Sequence, residues 1–244
     1  MHDAAAMASV ARASEELLEA APLSDEEAVR RICGGEQDLF ATLLRRYNQR
    51  VFRIARSVVR DDAEAEDVAQ EAWVRAFTHL DDLAERPRFG AWLSRIAFRE
   101  AMTRARRGRR VTPLDVFEAT SPARVLPSPA RTPEEDAAHG EEADALRAAI
   151  DALPAAYRTV YVLREIEELS TAETARCLGL TADAIKTRLR RARGLLRRGL
   201  LEIRGTARRS VFRFLGDRCV ALTARVLRRL SELAAFAELG RAAG

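Results

Sequence analysis

This sequence predicts an all-α fold: two small helical domains joined by a flexible linker, with a C-terminal helical extension. Three observations predict it. Apolar residues recur at three- and four-residue steps through most of the chain, the period of a helix with one buried face. Charged residues reach 32% of 244 and aromatic residues only 6%, a mixture that suits small bundles with solvated faces better than a large sheet core. Between residues 111 and 140 that period stops, and Pro113, Pro122, Pro127, Pro129 and Pro133 stand among Ser, Thr and Ala, a composition too polar to form a core.

Residues 1–23 are alanine-rich with little periodicity and read as a loose tail. The first domain spans 24–110. Ser24, with Glu27 three residues on, predicts a capping box, and Gly34-Gly35 closes the short helix it starts. From Leu39 to Val58 a second helix carries a wide apolar face. Asp61-Asp62 opens a third, in which Ala65, Val68, Ala69, Ala72, Trp73, Ala76 and Phe77 face inward. Its other side carries Glu66, Asp67, Gln70 and Glu71, with no basic residue before Arg75. Pro87 marks a loop over 80–89. An arginine-rich helix follows, with Phe89, Trp92, Leu93 and Ile96 inward and Arg86, Arg88, Arg95, Arg99, Arg104, Arg106 and Arg107 around them. Two adjacent helices thus offer surfaces of opposite sign, one for a basic protein partner and one for a polyanion. Phe89 and Trp92 suit stacking on unpaired bases where they are exposed, and burial is the simpler expectation for Trp92.

After the linker over 111–140, a second domain spans 141–204. Leu146, Ile150 and Leu153 mark one helix, and Pro154 stands where the next can begin. Ser170 with Glu173 predicts a second capping box. Beyond it lies a helix-turn-helix: a short helix, the Gly179 turn, Thr181 as cap, then a helix with Ile185 and Leu189 inward. Asp183, Lys186, Thr187, Arg190 and Arg191 point outward from it, a pattern suited to a DNA major groove. Residues 205–244 form an amphipathic block with a stripe of Leu215, Cys219, Leu222, Val226, Leu230, Leu233 and Phe236. Docking on the second domain is the expected role; a partner helix or an acidic membrane surface are the alternatives.

The net charge of +4 matters less than its separation into acidic and basic blocks, which implies more than one kind of partner. Cys33, Cys177 and Cys219 are scattered, as are His2, His79 and His139, so neither a zinc site nor a disulfide scaffold is expected. Neither a nucleophile–base set nor a phosphate-binding glycine loop occurs, which points away from an enzyme and from any cofactor or metal. With no long apolar run and no secretory signal in residues 1–21, a cytoplasmic protein is expected.

The stretches AEDVAQEAWVRAF at 65–77, FGAWLSRIA at 89–97 with Arg106-Arg107, LPAAYRTVYVLREIEELS at 153–170, and the helix-turn-helix through LRRARGLLRR at 189–198 resemble bacterial RNA polymerase sigma factors. The resemblance is to the extracytoplasmic-function (ECF) group of the sigma-70 family, over about residues 24–107 and 145–204. It implies a factor that binds core RNA polymerase, recognises promoter DNA and promotes strand opening. Glu66, Asp67, Gln70 and Glu71 would hold the clamp helices of the largest polymerase subunit, and the second domain would meet the flap of the second largest. Arg86, Arg88, Trp92, Arg95, Arg99, Arg106 and Arg107 would hold the opened minus-ten element. Thr181, Asp183, Lys186, Thr187, Arg190 and Arg191 would face the minus-thirty-five element. An anti-sigma factor is a further implied partner. The family often carries Asn in place of Arg99 and Asp in place of Thr103, and the longer, charged Arg99 implies contact with the strand backbone. The rival reading is a stand-alone helix-turn-helix regulator that binds its operator without polymerase.

Overall fold

The computed structural model describes residues 23–83, 88–107, 140–199, 212, 214 and 216–242. Among them every regular element is helical, as the hydrophobic period predicts. The predicted tail and linker fall almost wholly outside the described residues, and so does Arg86.

α1 (Asp25–Cys33) starts at Ser24, whose hydroxyl accepts the Glu27 N–H at 3.1 Å. The Glu27 carboxylate pairs with Arg30 at 2.6 Å, so the first capping box is only half made. Gly35, at φ 109°, turns the chain where a side chain would be strained. A 3-10 turn (Gln37–Leu39) leads into α2 (Phe40–Val59), and α3 (Asp62–Thr78) follows. Beyond a second 3-10 turn (Asp81–Leu83) comes α4 (Phe89–Arg107). The later elements are α5 (Gly140–Ala152), α6 (Ala155–Tyr161) running into a π turn (Val162–Ile166), α7 (Thr171–Leu178), α8 (Ala182–Gly199) and α9 (Asp217–Ala242).

The chain divides into two compact units. One comprises Met1–Asn48, Trp73–Gly90 and Leu215–Gly244; the other comprises Gln49–Ala72 and Ala91–Phe214. The division cuts α2, α3 and α4 and does not follow the order of the sequence.

In the first unit, aromatic rings close the core. Phe40 meets Trp73 edge-on at 5.6 Å between centroids and Phe77 at 5.0 Å, and Tyr47 meets Phe89 at 5.3 Å. Such pairs contribute about 0.5–1.5 kcal/mol each beyond the area they bury. Asn48 is fully buried, and its Nδ2 donates to Thr223 Oγ1 at 2.9 Å, with Cys219 Sγ at 3.4 Å. A buried amide left without partners costs about 1–3 kcal/mol, so this bond fixes where α9 docks. The docking is on α2 of the first domain, which corrects the expected docking on the second. Leu222, Val226 and Leu230 are buried as the stripe predicts, whereas Leu233 is 36% exposed.

The second unit holds the helix-turn-helix. At Ser170 the capping box is complete: the hydroxyl accepts the Glu173 N–H at 3.2 Å, and the Glu173 carboxylate accepts the Ser170 N–H at 2.9 Å. Gly179, at φ 68°, makes the left-handed turn, and Thr181 Oγ1 accepts the Ala184 N–H at 3.2 Å to start α8.

Buried arginines on α2 organise the rest of this unit. Arg56, 2% exposed, donates to Asp62 at 2.6 Å and to both carboxylate oxygens of Asp151 at 3.0 Å. Arg147 donates to the two oxygens of Asp62 at 3.1 and 3.2 Å. Arg50 and Arg53 each reach Glu167 at 3.1 Å. Arg158, 1% exposed, donates to the Ser57 carbonyl at 2.6 Å and the Leu153 carbonyl at 3.1 Å. Burial pushes its guanidinium down to about 9, with Arg60 the next cause, so it stays charged at neutral pH.

Replacing the Ser170 cap, Ser170→Ala, is expected to lower the stability of the second unit by about 1 kcal/mol, read as a lower urea midpoint with an unchanged slope.

Candidate functional site

Asp61 caps α3 from just before its first residue, its Oδ1 accepting the Glu64 N–H at 2.9 Å, so acid gathers where the helix dipole favours it. Ala65, Val68, Ala69, Ala72, Trp73 and Ala76 are buried, which turns the predicted acidic residues away from the core. Asp67 and Glu71, one helical turn apart, are exposed, and Glu66 and Gln70 beside them are half-buried. The face is not wholly unpaired, as its sequence suggested, because Arg104 Nη2 donates to Asp67 Oδ2 at 3.0 Å. Both side chains stand about half in solvent, so the pair contributes at most about 1 kcal/mol and opens readily.

On α4 the inward stripe differs from the predicted one. Phe89, Leu93, Ala97, Phe98, Ala101, Met102 and Ala105 are buried, while Ile96 and Trp92 are half-buried. Trp92 is thus only partly buried, contrary to simple burial. Along the same helix Arg99, Arg106 and Arg107 are exposed and Arg95 is half-buried, and Arg88 just before it is exposed. Arg88 sits at φ 94°, a conformation a side chain rarely takes, just before the helix starts. Thr103 donates to the Arg99 carbonyl at 3.0 Å, so its hydroxyl is satisfied within its own helix.

On α8, Ile185, Leu189, Ala192 and Leu196 are buried, and Thr181, Asp183, Lys186, Thr187, Arg190 and Arg191 are all exposed, as the basic helix predicts. Lys186 and Asp183 pair at 3.2 Å on the surface. Arg191 donates to the Tyr157 hydroxyl at 3.2 Å, so part of its donor set is spent inside the protein. Cys177 on α7 is buried, and burial pushes its thiol up to about 12, while the positive charges of Arg95 and Arg99 pull it the other way. Sequence reasoning read Arg104 only as part of the basic face and Tyr157 only as core, and did not foresee these two bonds. Their contacts span 37 and 34 residues, beyond the reach of any local pattern.

Among the described residues no cluster of His, Cys, Asp and Glu is arranged to hold a metal ion, and no helix is long and apolar enough to cross a membrane. What the arrangement offers is an exposed acidic face on α3, a basic face on α4 that carries the half-buried Trp92, and a basic outer face on α8.

Two family descriptions match the chain: Sigma-70 region 2 over residues 43–111 and Sigma-70, region 4 over residues 143–196. Together these define a transcription initiation factor of the sigma-70 type. The ECF RNA polymerase sigma factor SigW of Bacillus subtilis is 30% identical over 182 residues, covering 73% of this chain and 97% of its own. The RNA polymerase sigma-E factor of Streptomyces avermitilis is 32% identical over 189 residues, covering 77% and 98%. The solved structure of CnrH in complex with the cytosolic domain of CnrY matches with a TM-score of 0.50 at 25% identity, over 71% of this chain and 95% of that one. The chain belongs to the ECF sigma factors, which bind core RNA polymerase and recognise promoter DNA. Residue 212 and all of α9 lie beyond both family matches.

The Cys177 thiol carries a pH consequence. Its folded value lies above the ordinary 9.0, so its contribution to stability is complete below pH 9 and is lost as pH rises toward 12. Urea unfolding at pH 8 and pH 10.5 is expected to show the parent losing more stability than Cys177→Ala, by up to about 1.4 kcal/mol per pH unit.

Proposed function

We propose that the two domains divide the work of initiation. Residues 24–110 hold core polymerase through Glu66, Asp67, Gln70 and Glu71 on α3, and hold the opened minus-ten strand through Arg86, Arg88, Trp92, Arg95, Arg99, Arg106 and Arg107. Residues 141–204 read the minus-thirty-five element through Thr181, Asp183, Lys186, Thr187, Arg190 and Arg191. The observation that carries this reading is the pair of surfaces on adjacent helices: exposed Asp67 and Glu71 on α3, and exposed arginines on α4, which also carries the half-buried Trp92. Charge on α4 grips the strand backbone, and the indole face offers a platform for an unstacked base. Strand opening draws on the binding energy of the unpaired strand and not on hydrolysis, so the chain is no enzyme in itself. It works in the cytoplasm, where the polymerase is. An anti-sigma factor is a further proposed partner, and CnrH, to which this chain is similar, is solved in complex with another protein, the cytosolic domain of CnrY.

The test is pull-down of core polymerase with in vitro transcription from a promoter template. Asp67→Lys combined with Glu71→Lys is expected to abolish polymerase binding while leaving helical content unchanged; retained affinity would reject the assigned face. Arg190→Ala is expected to weaken binding by about 1–3 kcal/mol at one base pair if it reads a base edge, and equally at all sequences if it meets phosphate. Footprinting of the holoenzyme on single-base promoter variants tells the two apart.

A further inference from the structure

We propose that Tyr157 is a positioning residue for promoter recognition: its hydroxyl holds Arg191 of α8 in the posture that grips a guanine of the minus-thirty-five element. The inference rests on the reading of α8 given above and divides the work between two neighbouring arginines. Its first support is geometry. Tyr157 and Arg191 both lie within the region 4 match, Tyr157 near the start of α6 and Arg191 on the exposed side of α8. Arg191 Nη1 donates to the Tyr157 hydroxyl at 3.2 Å. The acceptor is itself well fixed, since Tyr157 is only 8% exposed and its N–H is bonded to the Pro154 carbonyl at 2.9 Å. A tyrosine has few side-chain torsions, and burial of the ring settles them.

The second support comes from the arginines on either side in sequence. Arg188, one turn earlier on α8 and half-buried, borders the same tyrosine: burial pushes its guanidinium down and Tyr157 pulls it back up. Tyr157 thus stands against two guanidiniums on one face of α8 and ties down the outer one. Arg190 offers the contrast. It is exposed and makes no hydrogen bond or ion pair among the described residues.

Held and unheld arginines suit different targets. A guanine edge presents its O6 and N7 acceptors together, and a guanidinium meets both only with its fork in the plane of the base. A phosphate accepts a cation over a wider range of approach and carries no sequence information. An exposed arginine on a long stem loses rotamer freedom when it binds, and the contact with the narrower geometry suffers most from that loss. Tyr157 takes much of that freedom away before DNA arrives. Its bond occupies Nη1 and leaves the edge formed by Nη2 and Nε to the base, because Arg191 makes no other hydrogen bond or ion pair among the described residues. Arg191 is therefore the base reader and Arg190 the phosphate contact.

The test uses holoenzyme, the full chain with core polymerase, on a library of promoter duplexes whose minus-thirty-five segment is randomised. Bound duplexes are recovered and sequenced. The parent is expected to select guanine at a base pair where Arg191→Ala is nearly indifferent. Tyr157→Phe keeps the ring and removes the acceptor. It is expected to weaken the preference at that same pair by about three- to tenfold, and to add nothing when combined with Arg191→Ala. Arg190→Ala is expected to lower binding evenly across the library and to reduce the slope of log affinity against log salt by about one. A parent-like preference in Tyr157→Phe would overturn the positioning role, and so would an even loss across the library or a loss at a different base pair. A guanine preference that survives Arg191→Ala would overturn it too. Should Tyr157→Phe lose its helical content, rotation of the guanidiniums about Nε–Cζ is followed by NMR in the free parent. Slower rotation of Arg191 than of Arg190 supports the role, and equal rotation overturns it. Failure of the parent to select any duplex with polymerase, or selection of the same sequence without polymerase, would strike the sigma reading instead.

Discussion

A guanidinium removed from water has to find a full set of acceptors, and Arg56 shows how far that demand reaches. Its donors go to Asp62, at the start of α3, and to Asp151 on α5. Asp62 in turn takes Arg147, and the ring of Phe212 covers both guanidiniums. Each of these side chains is placed by the need to neutralise or cover the one before it. The packing of the second unit follows from a small set of charges on α2 that have nowhere else to go.

The surfaces assigned to function are built on the opposite logic. Asp67, Glu71, Arg99, Arg106, Arg107, Lys186 and Arg190 all remain exposed, on helices whose inner faces are aliphatic and aromatic. A charge left in water keeps its hydration until a partner replaces it, so such faces bind without a large desolvation cost carried beforehand. One helix, α2, thus bears the buried charges that set architecture, while α3, α4 and α8 bear the exposed ones assigned to partners.

Which parts could be read from sequence follows from how local their causes are. The Ser170 capping box, the left-handed Gly179 and the Thr181 cap each act within four residues, and all three stand where the sequence put them. The outward set on α8 was legible for the same reason, because Ile185 and Leu189 fix the helix phase. On α4 the inward stripe runs through Ala97, Ala101 and Ala105, and small residues give a weak apolar signal. Ile96 looked inward by its chemistry, yet Phe98 and Met102 are the large side chains that are buried. The long-range partners left no trace at all: Asn48 meets Thr223 from 175 residues away, and Arg56 meets Asp151 from 95. Nothing near Asn48 announces a partner, so the stripe on α9 was visible while its docking place was not.

The bond between Asp67 and Arg104 joins the acidic face to the basic one. Under the proposed assignment, a polymerase group that took over the carboxylate would release the guanidinium, and a nucleic-acid phosphate that took over the guanidinium would release the carboxylate. Occupation of either proposed surface would then raise the affinity of the other by the same factor, as thermodynamic linkage requires. Through a contact weak enough to break in solvent, enzyme and promoter strand would become cooperative ligands of one protein.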